Sequence, residues 1–181
     1  MTAHPLRVMG IDPGTRRVGF GIIEAAGAKM RHLECGVVTP DSADAARRLA
    51  QIHLGLQAVI RRFTPSVAVV ETVYAGDNIR TALAIGEGRG VAILSAAELE
   101  VEVVGLEPAV VKRAVAGSGR ASKEQVQRMV CVLLGLAAPP QTDHEADALA
   151  LAIAYANRLR FGWTLVRVAT RKNLTEKRKT Y

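Results

Sequence analysis

The 181-residue chain is 49% hydrophobic, so it can bury a core of its own as one compact domain, with or without a tail. Its formal net charge of +7 favours a polyanionic partner, above all nucleic acid. Cys35 and Cys131 lack the spacing of zinc or disulfide frameworks. The longest apolar run, Ala146–Ala156, is too short to span a membrane, and no stretch is typical of a signal peptide. These features predict a cytoplasmic protein without membrane association.

The first third of the chain predicts a meander of three antiparallel strands followed by a helix. The strands are expected at Leu6–Ile11, Val18–Glu24 and Met30–Val38. The connections, DPGTRR and AAGAK, are short and contain glycine, as hairpin connections do. In the segment that follows, apolar residues recur at helical spacing up to Phe63, and Asp41 or Ser42 is expected to cap the helix.

The rest of the chain alternates strands with helices. Strands are expected at Val67–Glu71 and Val101–Leu106, and helices at Asn78–Leu99, Pro108–Ala116, Lys123–Leu134 and roughly Asp143–Arg160. The order predicts an α/β domain over residues 1–165, with a mixed five-stranded sheet and helices on both faces. Residues 166–181 end in RKNLTEKRKTY, which predicts a basic, flexible tail.

Two carboxylates stand where buried strands are expected to end. Asp12 follows the first strand, and Glu71 closes the fourth after VAVV. A carboxylate at such a position is costly to desolvate unless it meets a cation. If the two strands are neighbours, the two carboxylates lie side by side, and a divalent metal would relieve their repulsion. Taken singly, Asp12 before Pro-Gly is also a common turn, and a glutamate at a strand end is usually solvated.

The segment QTDHEADALALAI, residues 141–153, has several ionisable side chains where a helix is expected to begin. His144 and Asp147 are three residues apart and share a helix face, and Asp143 and Asp147 would also share one. Together with the strand-end pair they could form a site for Mg²⁺ or Mn²⁺. The alternative is that Asp143, His144 and Glu145 only suit the N-terminus of the helix and bind no metal.

Four stretches together carry a resemblance to a known family. They are GIDPGTRRVGFGII, VETVYAGDNIRTALAIGEGRGVA, VVKRAVAGSGRASKEQVQRMV and HEADALALAIAY, and they span most of residues 7–156. In them the chain resembles the RuvC family of Holliday-junction resolvases, which have the RNase H-like fold. The resemblance implies a homodimeric, structure-selective DNA endonuclease that resolves four-way junctions by paired symmetric nicks, in recombination and DNA repair. It also implies two divalent ions, Mg²⁺ or Mn²⁺, in each active site.

The resemblance assigns catalytic and metal-binding roles to four residues of the chain. They are Asp12, Glu71, His144 and Asp147. The position of His144 is aspartate in many members and histidine in others. Asp143 is its competitor here, and Glu145 is expected to face solvent. Because an imidazole is a softer, neutral ligand, His144 leads to the hypothesis that Mn²⁺ supports cleavage better than Mg²⁺.

The resemblance also assigns DNA contacts. Lys112 and Lys123 match family lysines near the scissile region, and Lys123 is counted among the catalytic residues; Tyr74 matches an aromatic residue that stacks on bases. Arg89, Arg113 and Arg120 are further candidates for contacts to the DNA backbone. Independently of the family, Lys123 begins a helix after GSGRAS, where a phosphate is favoured. Solvated lysines, and a loop tyrosine that packs on its own protein, are the alternatives.

A dimer follows from the implied reaction, since two symmetric cuts need two sites related by a two-fold axis. The helix Asn78–Leu99 is the candidate interface, because Gly86, Gly88 and Gly90 permit close approach of another helix. The resemblance suggests a branch-migration motor complex as a further partner. Three other functions compete: another RNase H-like nuclease such as an RNA–DNA hybrid hydrolase, a phosphate-binding kinase fold suggested by DPGT, and a catalytically inactive DNA-binding module.

Overall fold

The computed structural model describes residues 5–72, 79–160, 162 and 166–169. Its strands are β1 (Leu6–Asp12), β2 (Val18–Ala26), β3 (Lys29–Val38), β4 (Val67–Glu71), β5 (Glu102–Leu106) and β6 (Val166–Ala169). Its helices are α1 (Ala45–Phe63), α2 (Ile79–Glu98), α3 (Pro108–Ala116), α4 (Lys123–Leu134) and α5 (Asp143–Arg160). The predicted α/β order is therefore confirmed from β1 to α5.

The strands form one mixed sheet in the order β3-β2-β1-β4-β5-β6. The first three strands are antiparallel to one another, which confirms the predicted meander. β1 and β4 are parallel neighbours, with Ile11 opposite Val70, and β4 is parallel to β5. The condition on which Asp12 and Glu71 were expected to meet, namely adjacent strands, is thus fulfilled.

The sheet has a sixth strand that the sequence analysis did not predict. β6 is antiparallel to β5 and lies within the segment assigned to the basic tail. Four residues, VRVA, are too few to show a strand period, and their partner on the open edge of β5 is distant in sequence. The rest of the predicted tail, 170–181, lies outside the described residues.

The N-terminus of α1 differs from the prediction by two to three residues. The cap is Asp44, whose side chain accepts a hydrogen bond from the Arg47 N–H. The two residues expected to cap have other partners: the Ser42 hydroxyl accepts from the Asp44 N–H, and the Asp41 N–H donates to Gln51. Each of the three can cap, so local composition did not distinguish them.

Helices cover both faces of the sheet, as predicted. Side chains alternate along β1, so that Val8 packs in one core cluster with Leu149 of α5, whereas Met9 and Ile11 pack in the other with Ile52 of α1. Helices α3 and α4 share the first cluster with α5, and α2 shares the second with α1. No helix in the described part of the chain is long and apolar enough to cross a membrane.

Glycines allow α5 to lie directly on β1 and β2. A Cβ atom at Gly10 would overlap the Ala148 carbonyl, and one at Gly19 would overlap the His144 backbone. At Gly21, a Cβ atom would stand 2.8 Å from the Leu149 side chain. This close approach sets the height of α5 above the sheet, and with it the position of the ionisable residues in its first turns.

Candidate active site

Two parallel strands and one helix build the site. Asp12 and Glu71 end β1 and β4, whose pairing runs up to Ile11 and Val70. By the strand alternation, both carboxylate side chains lie on the α5 face of the sheet. A cleft of about 210 Å³ opens between them and α3, α4 and α5. It is lined by Asp12, Glu71, Pro108, Val111, Lys112, Lys123, Val126, Asp147, Ala150 and Leu151.

His144 contacts the site through Asp12. Its Nδ1 atom lies 2.6 Å from Oδ2 of Asp12, whose side chain is 18% exposed. His144 itself does not line the cleft, and its side chain is 40% exposed. The structure therefore brings the residue beside the first predicted ligand while leaving it partly open to solvent.

Lys123 lies between two carboxylates of α5. Its Nζ atom is 3.1 Å from Oδ2 of Asp143 and 3.1 Å from Oδ2 of Asp147. A capping box at the start of α4, formed by Ser122 and Gln125, fixes Lys123 in the first turn. Partial burial favours a lower pKa for the Lys123 ammonium, but the hydrogen bonds to the two aspartates outweigh it and raise the pKa above its ordinary value. The Lys123 side chain therefore stays protonated and contributes a positive charge to the cleft.

The two strand-end carboxylates, those of Asp12 and Glu71, have pKa values above their ordinary ones. Burial raises the pKa of Glu71 to about 7, with a further contribution from the negative charges of Asp12 and Asp147, while Lys112 and Lys123 oppose it. Burial also raises the pKa of Asp12, and the hydrogen bond from His144 only partly offsets this. Burial and mutual repulsion therefore make the ionised forms of these carboxylates costly, and an added cation would lower that cost.

The donor chemistry of the cleft fits a hard divalent cation. Three carboxylates, those of Asp12, Glu71 and Asp147, share one partly buried space, and oxygen donors are what Mg²⁺ and Mn²⁺ prefer. Within the described ranges, no three His, Cys, Asp or Glu side chains already form a metal-binding group. In the structure Oδ2 of Asp12 is hydrogen-bonded to His144 and Oδ2 of Asp147 is paired with Lys123, so a bound cation would share these two carboxylates with His144 and Lys123.

A prediction follows from the raised pKa of Glu71. Between its ordinary value of 4.5 and its folded value of about 7, the folded protein binds more protons than the unfolded chain, so stability falls as pH rises through that window. In the absence of divalent metal, Glu71→Gln should therefore raise the melting temperature at about pH 8 and do so much less at about pH 5. Thermal unfolding of both proteins in chelator at the two pH values measures this. An equal gain at both would show that Glu71 ionises normally.

The other predicted site residues fall into three groups. Lys112 is half-buried and lines the cleft. Arg113 and Arg120 are exposed near the cleft-forming helices, whereas Arg89 is half-buried and its Nε donates to the Glu71 carbonyl at 3.0 Å. Tyr74 lies outside the described residues.

Asp143 and Glu145 have separate roles in the first turn of α5. Asp143 is exposed, and hydrogen bonds from Lys123 and Gln127 lower its pKa. Glu145, expected to face solvent, is instead 8% exposed and accepts a hydrogen bond from the Thr142 N–H, while the Thr142 hydroxyl accepts from the Glu145 N–H. The expectation for Glu145 was wrong because these two residues form a reciprocal cap. The spacing Thr-x-x-Glu is itself a capping signature and could have predicted it.

Comparison with known proteins places these features in a family. A family model described as "Crossover junction endodeoxyribonuclease RuvC" matches residues 8–155. Proteins of that name from Moorella thermoacetica and Chloroflexus aggregans are 47% and 45% identical over 152 residues, which is 83% of this chain and 90% and 93% of theirs.

The fold agrees with a solved structure of the same family. "T. thermophilus RuvC in complex with Holliday junction substrate" superposes with a TM-score of 0.84 at 35% identity, over 90% of this chain and 99% of that one. The RNase H-like α/β fold expected from the resemblance is thus confirmed. With the family model matching most of the sequence as well, the chain belongs to the RuvC family of crossover junction endodeoxyribonucleases.

Proposed function

We propose that this protein resolves four-way DNA junctions by paired, symmetric, metal-dependent nicks, and that it acts in recombination and DNA repair. The observation that carries the proposal is the convergence of Asp12, Glu71 and Asp147 in one cleft with Lys112 and Lys123. The related T. thermophilus protein, whose structure is described as a complex with a Holliday junction substrate, supports the substrate class.

In this proposal Asp12, Glu71 and Asp147 hold two divalent ions, Mg²⁺ or Mn²⁺, and His144 is the further candidate ligand. Bound ions of this kind polarise a scissile phosphate and activate water for attack. The chain's own part is to supply the carboxylates on rigid elements and to limit the space around them.

Lys123 and Lys112 supply positive charge where the phosphodiester would enter. Lys123 keeps its proton, since its pKa is raised, and it can exchange its contact with Asp143 or Asp147 for a phosphate oxygen. Lys112 lies across the same cleft and opposes the rise of the Glu71 pKa, so its charge already acts on the carboxylates. We assign both lysines to the DNA near the cut, and Lys123 to catalysis as well.

His144 gives a prediction about the metal. If its imidazole is a ligand, Mn²⁺ should support cleavage better than Mg²⁺, and His144→Asp should move the preference toward Mg²⁺ by restoring an all-oxygen site. Cleavage rates of both proteins across a series of each metal test this. A metal preference that does not change in the variant would count against His144 as a ligand and favour a role limited to its hydrogen bond with Asp12.

The proposed dimer uses the outer face of α2. Leu83 and Leu94 are 64% and 51% exposed in the single chain, and Gly86 and Gly90 between them would have no atom within 4 Å of an added Cβ. Small residues flanked by exposed leucines make a flat apolar strip that a second copy of the helix could approach closely. Gly88, the third glycine, faces inward and contacts the Gly14 backbone of the same chain.

Leu94→Glu should therefore weaken the dimer by at least about 10²-fold, because the two-fold axis would bury two unpaired charges. The fold should not suffer, since Leu94 is half-exposed in the single chain. Sedimentation over a concentration series measures the effect. Leu54→Glu is the matched control: Leu54 is 63% exposed on α1, and its replacement should leave the oligomeric state unchanged. A wild-type protein that sediments as a monomer would contradict the proposed interface.

The protein surface that we propose to bind DNA extends beyond the cleft. Two copies of the chain carry twice +7, or +14, so junction affinity should fall steeply with salt. Arg120 is an exposed candidate for the phosphate backbone, and Tyr74 is proposed to stack on bases near the junction point. The branch-migration motor complex remains a proposed partner.

The decisive experiment is incubation of the purified protein with a synthetic four-way junction and Mn²⁺, beside a linear duplex and an RNA–DNA hybrid of matched sequence. We expect paired nicks in strands of like polarity on the junction alone. Preferential cleavage of the hybrid would point to another RNase H-like nuclease. Junction binding without cleavage in any divalent metal would point to an inactive binding module.

A further inference from the structure

We infer that Arg89 is a positioning residue that fixes the Glu71 end of β4 from the face of the sheet opposite the cleft, and that it thereby links the α2 helix to the metal-binding carboxylates. The inference rests on the proposed function, because it concerns how the proposed metal site is held. It differs from the DNA contact expected from the sequence for the same arginine.

The Glu71 carbonyl points away from β5 and toward β1. The Thr72 N–H donates to the Leu106 carbonyl of β5 at 2.8 Å. Along a strand, backbone groups of successive residues point to opposite sides, so those of Glu71 point toward β1. Pairing between β4 and β1 ends at Val70. The Glu71 carbonyl therefore emerges where the neighbouring strand has ceased to pair, and the Arg89 Nε occupies that place at 3.0 Å.

Arg89 approaches Glu71 from the face of the sheet that carries α1 and α2. Val70 and Val103 belong to the core cluster under α1 and α2, whereas Val69 and Leu106 belong to the cluster under α3, α4 and α5. The Glu71 side chain shares the second side with the cleft. Arg89 belongs to α2, so it holds the backbone of Glu71 from the face opposite to the carboxylate.

The Arg89 guanidinium also lies beside Gly105 of the next strand. Gly105 on β5 lies opposite Val70, and an added Cβ atom there would stand 2.7 Å from the Thr72 hydroxyl and 3.7 Å from Nη2 of Arg89. A methyl group at position 105 would therefore press on the Thr72 hydroxyl, whereas it would only touch the guanidinium at van der Waals distance. The guanidinium thus lies over β5 as well as β4, on the face of the sheet that carries α2.

The same turn of α2 touches the other carboxylate strand. Gly88 packs so closely on Gly14, two residues after Asp12, that a Cβ atom would stand 2.7 Å from the Gly14 carbonyl carbon. Residues 88 and 89 thus contact the chain just beyond Asp12 and at Glu71. Gly86 and Gly90 on the same turn face outward, so the proposed dimer face and the contacts to both carboxylate-bearing strand ends lie on one turn of α2.

The test compares Arg89→Ala and Arg89→Lys with wild type in three measurements on the full-length protein. These are Mn²⁺ binding without DNA by calorimetric titration, junction affinity in chelator over a salt series, and the cleavage rate at saturating Mn²⁺. We expect Arg89→Ala to weaken Mn²⁺ binding and slow cleavage by about 10- to 100-fold each, as loss of a group that orients a metal ligand does. Junction affinity and its salt slope should stay as in wild type.

Arg89→Lys should recover part of the Mn²⁺ affinity, because an ammonium can donate to the same carbonyl. If Arg89→Ala does not fold, Arg89→Lys keeps the inference testable, because its Mn²⁺ affinity should fall below that of wild type while its junction affinity stays unchanged. Arg120→Ala provides the contrast: an exposed phosphate contact should lower junction affinity and reduce the salt slope by about 1 without changing Mn²⁺ binding.

Unchanged Mn²⁺ binding in Arg89→Ala, together with a junction affinity and salt slope reduced as in Arg120→Ala, would overturn the inference and restore the DNA contact. That outcome would leave the proposed function intact, provided wild type cleaves the junction. Failure of wild type to cleave any junction would instead remove the proposed function, while the Mn²⁺ titration would still decide whether Arg89 positions the carboxylates.

Discussion

Asp147→Asn should lower the rate of junction cleavage by about 10³-fold, the cost of removing one charged group from a preorganised metal and phosphate site. Asparagine keeps the shape of the side chain and removes only its charge. Asp147 is one of three carboxylates that line the cleft. Its negative charge raises the pKa values of the other two, Asp12 and Glu71. Losing it removes a ligand for the divalent ions while leaving the fold of α5 unaltered.

Junction binding should survive the same change. Lys123 lies 3.1 Å from Asp147, and loss of that partner frees the ammonium for a phosphate. Single-turnover cleavage and junction affinity, measured on the same preparation, separate the two effects. A variant that binds and cleaves at nearly the wild-type rate would remove Asp147 from the catalytic set, and a variant that loses both equally would point to a structural role.

Asp143→Asn is the matched control for Asp147→Asn. Asp143 lies at the same 3.1 Å from Lys123, on the same helix, but its side chain is 66% exposed and it does not line the cleft. Its neutralisation should change the cleavage rate by no more than about five-fold, the worth of an exposed ion pair. If Asp143→Asn were the variant that abolished cleavage, Asp143 and not His144 would be the further ligand.

Much of the fold was predictable because the element ends carry local signals. β4, α3, α4 and α5 begin and end where the sequence predicted. Pro108 stands in the first turn of α3, Ser122 caps α4, and Gly117 and Gly135 end these helices in the left-handed conformation. Such signals act within a few residues, so a single sequence contains them in full.

The features that were missed depend on partners distant in the chain. The strand β6 exists because β5 offers an open edge, and the VRVA sequence has no signal of that edge. In the same way, the Arg89 contact to Glu71 joins residues on different elements, and neither residue's local sequence indicates it. The first turns of α5 carry several ionisable residues. Which of them face the cleft likewise depends on the packing of α5 against β1 and β2.

The candidate site was predicted in part. That Asp12, Glu71 and Asp147 share a cleft was expected from strand order and helix spacing, together with the family resemblance. The present pairings of Asp12 with His144 and of Asp147 with Lys123 were not expected. Both are contacts that carboxylates make with the nearest cationic or hydrogen-bonding groups, and they depend on three-dimensional proximity alone.

The packing of α5 leads to the second large prediction: Gly10→Ala should cost about 1–3 kcal/mol of stability or more, the range for overpacking a tight core. The added methyl group would overlap the Ala148 carbonyl oxygen and stand 2.9 Å from the Ala148 carbonyl carbon and 3.0 Å from the Ala152 N. All of these are backbone atoms of α5. No change of side-chain rotamer can relieve the overlap, so either the helix or β1 must move.

The same substitution should slow cleavage even where the protein remains folded. Ala148 directly follows Asp147, so a displaced α5 carries that carboxylate away from Asp12 and Glu71. A displacement of about 1 Å in a catalytic constellation can cost on the order of 10²-fold in rate. Urea unfolding measures the loss of stability, and cleavage assayed at low temperature, where circular dichroism shows the variant to be folded, measures the loss of rate.

Gly36→Ala distinguishes this effect from a general intolerance of the sheet to alanine. Gly36 lies on β3, which is separated from β1 by β2. A Cβ atom there would stand 2.8 Å from the tip of the Phe20 ring, which can turn aside. Its cost should be about 1 kcal/mol or less, with little change in cleavage. If Gly10→Ala were as mild as Gly36→Ala, α5 would not be held at its height by this glycine, and the position of Asp147 would have to be set elsewhere. A stable Gly10→Ala protein that cleaves slowly would instead show that the distance between helix and sheet controls the chemistry directly, apart from its effect on folding.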